Sequence, residues 1–123
     1  MNSTLRDLGR VGLLVLNKGR AFGQQVVPAA FIEDMHAQPG EPTWPSKPTE
    51  GLKPYYRSFW WGTGNDGHDL GGFGIHGQTV YVAPEAGIVI ALYSTWPRAD
   101  GDGTAQYWGA NGGLMDALVT KFR

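Results

Sequence analysis

The chain has 123 residues, with 10 basic and 11 acidic side chains and a net charge of -1. That is the length of one domain, without the basic footprint that a phosphate backbone or an anionic membrane surface would select, so nucleic acid is excluded as an expected partner. The absence of cysteine removes disulfides, thiolate metal sites and cysteine nucleophiles, and leaves the compartment, cytoplasmic or periplasmic, open. The apolar runs Val11–Leu16 and Gly87–Tyr93 are far shorter than the roughly 18 residues that span a bilayer, so no membrane segment is expected. Nor does the N-terminus have the apolar core and small-residue cleavage site of a signal peptide. Glycine, 19 of 123 residues, stands at about twice its ~7% average, which favours tight turns and close backbone approaches.

In chain order, the first element is a helix over about Thr4–Lys18. Thr4 with Asp7 fits a capping box, Leu5, Leu8, Gly12 and Val15 share one face, and Gly19 stands where a left-handed cap belongs. Phe22–Val27 reads as a short connector or strand, and Pro28 opens a brief helix to about Met35. Pro39, Pro42, Pro45 and Pro48 recur at the polyproline period. This stretch is either a ligand for an SH3-type groove or a stiff surface loop, and the lack of a flanking basic specificity residue favours the loop. Tyr55–Trp61 has the aromatic density of a strand, ended by turn chemistry at Gly62–Gly67. A hairpin follows, with strands near 74–83 and 87–94 joined at Pro84–Gly87. Its second strand is apolar at every position, which predicts a central strand buried on both faces. Thr104–Lys121 closes the chain as a helix, weakened by Gly109, Gly112 and Gly113 and amphipathic through Leu114, Leu118 and Val119. The expected fold is α+β: a mostly antiparallel sheet with flanking N- and C-terminal helices.

Gly72-Phe73-Gly74-Ile75-His76-Gly77 matches the G-x-G-x-x-G string, but a dinucleotide fold needs a helix after it and here a strand follows. The nucleotide reading is rejected, and no cofactor is expected. Asp66, His68 and Asp69, and Asp100 with Asp102, fit solvated turns better than a calcium loop, and no histidine pair has zinc spacing, so no metal is expected. His76 on its own has two readings, a hydrogen-bonded structural residue or a catalytic one.

The neighbours of His76 alter that balance. Residues 72–82, GFGIHGQTVYV, followed by Pro84-Glu85 and an apolar strand, resemble the third motif of the β-lactamase-like serine hydrolases, in the class C-related and 6-aminohexanoate-dimer hydrolase branch. Asn2–Gly12 looks like the helix that follows the second motif of that family, and Tyr56–Trp61 looks like the aromatic strand before the third. The resemblance implies a β-lactamase/transpeptidase-like fold and a small-molecule amide, ester or β-lactam substrate. It implies that Ile75, His76 and Gly77 bind substrate at the K-T-G position, and that the backbone N–H of Gln78 donates to the oxyanion. It also implies that residues 1–123 are a single partial domain, the C-terminal segment, working with the N-terminal remainder of the hydrolase.

The family's nucleophile lies in S-x-x-K and its tyrosine in Y-x-N, and neither pattern occurs in these 123 residues. Covalent catalysis by these residues alone has no visible chemistry. Two functional readings therefore stand: the C-terminal part of a serine hydrolase acting through an acyl-enzyme, or a non-catalytic, truncated or stand-alone binding module.

Overall fold

The computed structural model describes residues 3–37, 53–99 and 105–123. The period-three prolines and the Asp100–Asp102 loop lie outside the described residues.

Thr4 opens helix α1, Leu5–Leu16: its hydroxyl accepts from the Asp7 backbone N–H at 3.1 Å and donates to the Asp7 carboxylate at 2.8 Å. The helix ends at Leu16 rather than Lys18, because Lys18 (φ 53°) and Gly19 (φ 81°) turn left-handed and the Gly19 N–H returns to Leu14 O. Gly12 and Val15 are its buried residues, Leu8 is half-buried and Leu5 is exposed. The connector is a miniature hairpin, β1 (Arg20–Ala21) and β2 (Gln24–Gln25). Helix α2, Ala29–His36, starts after Pro28 and buries Ile32 and Met35.

A five-stranded antiparallel sheet follows in the order β3 (Tyr55–Arg57), β4 (Trp60–Gly62), β5 (Leu70–Gly74), β6 (Gln78–Ala83), β7 (Ile88–Leu92). Helix α3, Ala105–Phe122, completes the described elements. The fold is α+β, as expected, with three differences of detail.

The aromatic run Tyr55–Trp61 is a hairpin, not one strand. It folds back at Ser58 (φ 50°) and Phe59 (φ 68°), so that Arg57 pairs with Trp60. Two positive-φ residues make the turn that matches strand twist, but the usual asparagine-glycine signature is missing. The expected strand 74–83 is likewise broken by a short 3-10 turn, Ile75–Gly77, with β5 and β6 pairing across it from Gly74–Gln78 to Leu70–Val82. Third, β7 stands at an end of the sheet order among the described residues, and all five of its positions are half-buried. An apolar strand covered by a helix on each face has the same side-chain pattern as a central strand, whatever its hydrogen-bonding neighbours.

Alternation along the strands sorts the side chains into two layers. Tyr55, Leu70 and Val82 meet Val15 of α1 and Ile32 and Met35 of α2 on one face. Tyr81 and Ala83 meet Met115 and Val119 of α3 on the other. The buried stripe of α3 is therefore set by Met115 and Val119, four residues apart on one helix face, while Leu114 is exposed.

Candidate functional site

The 3-10 turn between β5 and β6 carries Ile75, His76 and Gly77, and Gln78, the fourth residue singled out in the sequence, opens β6 directly after it. His76 (φ 58°, ψ 19°) and Gly77 (φ 83°) both adopt left-handed backbone, and the turn closes with the Gln78 N–H donating to Ile75 O. Thr79 Oγ1 donates to Gly77 O at 3.3 Å. Left-handed backbone at a histidine is uncommon and needs support from around it.

That support comes from the segment after β7. The His76 N–H donates to Ala99 O at 3.0 Å, and the Trp96 N–H donates to His76 O at 3.3 Å. The imidazole Nδ1 meets Trp96 O at 2.8 Å. A carbonyl only accepts, so Nδ1 carries a proton and donates it to Trp96 O. Gln78 Nε2 donates to Ser94 O at 2.6 Å. The glycine at 77 is required twice over: its φ is left-handed, and an added Cβ would overlap the Trp96 indole packed against it. The close approach expected of a substrate at Gly77 is, in this structure, made by Trp96.

Trp96 passes the linkage on to α3. It stacks on Tyr107 (centroids 5.4 Å apart, 28° between planes) and meets Trp108 edge-on at 4.5 Å, and Trp108 meets Phe73 of β5 edge-on at 5.7 Å. Sequence reasoning missed this support, since Trp96-Pro97 read only as a turn-rich loop. The available signal was the concentration of Trp96, Tyr107 and Trp108 just after the hairpin.

Beside the turn lies a groove. Pairing between β4 and β5 runs through Trp61–Gly71 and Gly62–Leu70 only, while β5 continues to Gly74. A cavity of about 280 Å³ lies alongside, lined by Leu8 of α1, by Tyr56, Phe59 and Trp61 of the aromatic hairpin, and by Gly74 and Gln78 at the mouth of the turn. The Tyr56 and Trp61 rings lie 4.6 Å apart, tilted at 54°. Phe59 at the hairpin tip is 86% exposed and Ile75 is 62% exposed, so two large apolar side chains face solvent around this opening.

The hairpin tip is tied down electrostatically. Arg57 donates through Nε to Asp34 Oδ2 at 2.9 Å, with a second, shorter contact to Oδ1, and Ser58 Oγ donates to Asp34 Oδ2 at 3.2 Å. The guanidinium holds the Asp34 carboxyl below its ordinary value and is itself raised by the pairing.

Asp69, expected in a solvated turn, is instead 3% exposed. Tyr81 Oη donates to its Oδ2 at 2.8 Å and Asn65 Nδ2 does so at 3.0 Å, while the Asp69 N–H donates to Asn65 Oδ1 at 3.1 Å. Burial first, then the bond to Asp69, pushes the Tyr81 phenol far above the ordinary tyrosine range. The carboxylate was legible as a turn residue, but its burial follows from the tertiary position of Tyr81. Among the described residues, no three of His, Asp and Glu gather into a possible metal site, and no helix is long and apolar enough to cross a membrane.

No family model matches the chain. It is 32% identical over 117 residues to the 6-aminohexanoate-dimer hydrolase of Paenarthrobacter ureafaciens, an alignment covering 94% of this chain and 29% of that protein. A solved structure titled "Putative 6-aminohexanoate-dimer hydrolase from Bacillus anthracis" superposes with a TM-score of 0.71 and 28% identity, over 98% of this chain and 30% of the other. The chain thus spans about three tenths of the length of these relatives. Sequence and fold agree over nearly all of its residues, and the chain is a homologue of the 6-aminohexanoate-dimer hydrolases, corresponding to a part of that hydrolase.

Proposed function

We propose that this chain is the C-terminal part of a serine hydrolase domain and supplies the third-motif wall of a site that cleaves an amide, ester or β-lactam bond through an acyl-enzyme. The observation that carries the reading is the similarity to hydrolases over nearly the whole chain, in which GFGIHGQ stands at the mouth of an aromatic groove. In this reading the N-terminal remainder of the domain brings the serine, its lysine and the tyrosine. The serine oxygen bonds to the substrate carbonyl carbon, the amine or alcohol leaves with a proton, and water then releases the acid.

The residues of this chain bind and orient. A linear substrate such as the amide named for the relatives lies along the Gly72–Gly74 end of β5, with its methylene chain against Tyr56, Phe59 and Trp61. Ile75 meets it at the turn. His76 keeps the turn in its left-handed form through the 96–99 segment, so that it orients the substrate wall. The Gln78 N–H is the oxyanion donor of this proposal. It closes the turn onto Ile75 O, so in the tetrahedral state it divides its hydrogen bond between that carbonyl and the oxyanion. One such donor is worth about 3–4 kcal/mol in a site that excludes water.

The lack of S-x-x-K and Y-x-N within these 123 residues supports the second reading, a binding module without turnover. One experiment separates the two. The chain, expressed with the coding sequence read in frame upstream of Met1, is incubated with a fluorophosphonate and with the linear 6-aminohexanoate dimer. Under the first reading a serine outside residues 1–123 is labelled, amine is released, and Gly77→Ala lowers kcat/KM by about 100-fold. Absence of both labelling and amine release, with the dimer still bound, would establish the binding module instead.

A further inference from the structure

A second cavity lies between β5, β6 and α3, sharing Phe73 and Thr79 with the aromatic groove, with a volume of about 210 Å³. A cavity of roughly 150 Å³ is enough for a benzene-sized molecule. Its walls are aromatic at one end, where Phe73 and Trp108 meet edge to face at 5.7 Å, and polar at the other.

The polar end has an unusual hydrogen-bonding balance. The hydroxyls of Thr63, Thr79 and Tyr81 all donate away from the cavity, to Asp69 O, Gly77 O and Asp69 Oδ2 respectively. Thr63 Oγ1 also accepts from the Asn65 N–H, so the remaining lone pairs of Thr79 and Tyr81, with the carboxylate of Asp116, make this end rich in acceptors. Against them stands Asn111, whose Nδ2 is buried and has no hydrogen-bond partner. A buried donor without an acceptor is a net cost to the fold, and native structures hold few of them without a reason.

We propose that this cavity is a binding site for a small neutral aryl carboxamide, whose carbonyl accepts from Asn111 Nδ2, whose N–H₂ donates to Asp116, and whose ring packs against the Phe73–Trp108 pair. One donor facing several acceptors is the complement of a primary amide, which offers one carbonyl oxygen and two N–H groups. The carboxylate of Asp116 and the lone pairs of the Thr79 and Tyr81 hydroxyls disfavour an anion of the same shape. The site does not depend on the serine-hydrolase reading and uses none of Ile75, His76, Gly77 or Gln78. It is physically joined to them, because Thr79 holds Gly77 O and Trp108 packs on the indole that covers Gly77.

Benzamide and benzoate are the probes, titrated into the 123-residue chain by calorimetry with tryptophan fluorescence as a second signal. The expected result is benzamide binding with a dissociation constant on the order of 1 mM, benzoate binding at least ten times weaker, and a fluorescence change from Trp108. Asn111→Leu replaces the unpaired donor with a side chain of similar size. It should weaken benzamide at least tenfold and leave the thermal midpoint unchanged or raised. Asp116→Asn should narrow the preference for benzamide over benzoate. Absence of benzamide binding at about 10 mM, equal binding of benzoate to the unaltered chain, or full benzamide affinity in a folded Asn111→Leu variant would each overturn the proposal. The two-ligand comparison needs no variant, so misfolding of Asn111→Leu would not rescue it.

Discussion

Helices α1 and α3 approach the sheet differently, although each side keeps a cavity, of about 340 Å³ between α1, α2 and the Pro84–Glu85 turn and of about 210 Å³ beneath α3. On the α1 face the backbone of the helix comes close: a Cβ at Gly12 would overlap Val89 and stand 3.1 Å from Val80 Cγ2, and Leu70 and Val82 are wholly buried. On the α3 face the helix carries Gly109, Gly112 and Gly113, a Cβ at any of them would meet nothing within 4 Å, and a cavity remains between helix and strands. Glycine count therefore says little about packing. A glycine that points at a neighbour lets two elements approach, whereas one that points away only loosens its own helix.

Core truncation should expose this difference most strongly. Leu70→Ala removes a wholly buried side chain from beneath α1 and α2, and a loss of about 4 kcal/mol is expected from urea denaturation. Met115→Ala borders existing space into which α3 can settle, so about 2 kcal/mol is expected. Equal losses would mean that the two layers are equally rigid.

The glycines give the next contrast. Gly12→Ala should cost about 2 kcal/mol, because Val89 must yield and its strand pairs with β6. Gly109→Ala should instead add about 0.5–1 kcal/mol, the ordinary gain in helix propensity. A neutral Gly12→Ala would show that α1 stands further from the sheet than described.

The smallest and most selective probe is pH. His36, bonded through Nδ1 to His68 O at 3.1 Å, is held below the ordinary imidazole range by burial. As pH falls below about 6.5 the unfolded chain takes this proton first, so stability is full above that value and declines beneath it. Asp34, lowered by Arg57, adds a second loss as pH falls below about 4. Tyr81 behaves in the opposite sense. Its raised pKa means that the unfolded chain ionises first above about pH 10, and stability falls as pH rises from there. Tyr55, raised by burial in the α1–α2 layer, acts in the same sense, so the acid sensitivity belongs to the α1–α2 side whereas the alkali sensitivity is shared by both faces. His36→Gln should flatten the profile only near pH 6, and Tyr81→Phe only above pH 10, in thermal melts across the range.

The elements with local chemistry were legible in the residues. Thr4 and Asp7 announce the start of α1, Pro28 announces α2, and Pro84–Gly87 announces the last hairpin. What escaped was decided at longer range. Ser58-Phe59 lacks the composition of a tight turn, and its conformation is supported by Arg57 and Ser58 reaching Asp34 on α2. The position of β7 at an end of the sheet order is invisible in its side chains, because helices on both faces supply the burial that a pattern of apolar residues records. The turn at Ile75–Gln78 was recognisable from its residues. The loop that fastens His76, 20 residues further on at Trp96, was not.

The hairpin tip sets stability against the shape of the groove. Two side chains held in left-handed backbone cost on the order of 1 kcal/mol each relative to asparagine and glycine, and Phe59 recovers little of that by burial, since it points into solvent at the rim of the aromatic groove. Replacing Ser58-Phe59 by Asn-Gly would give a sturdier protein with a blunter groove. A selection for heat resistance alone would be drawn to that exchange, and a selection for the groove's apolar rim would be drawn back from it.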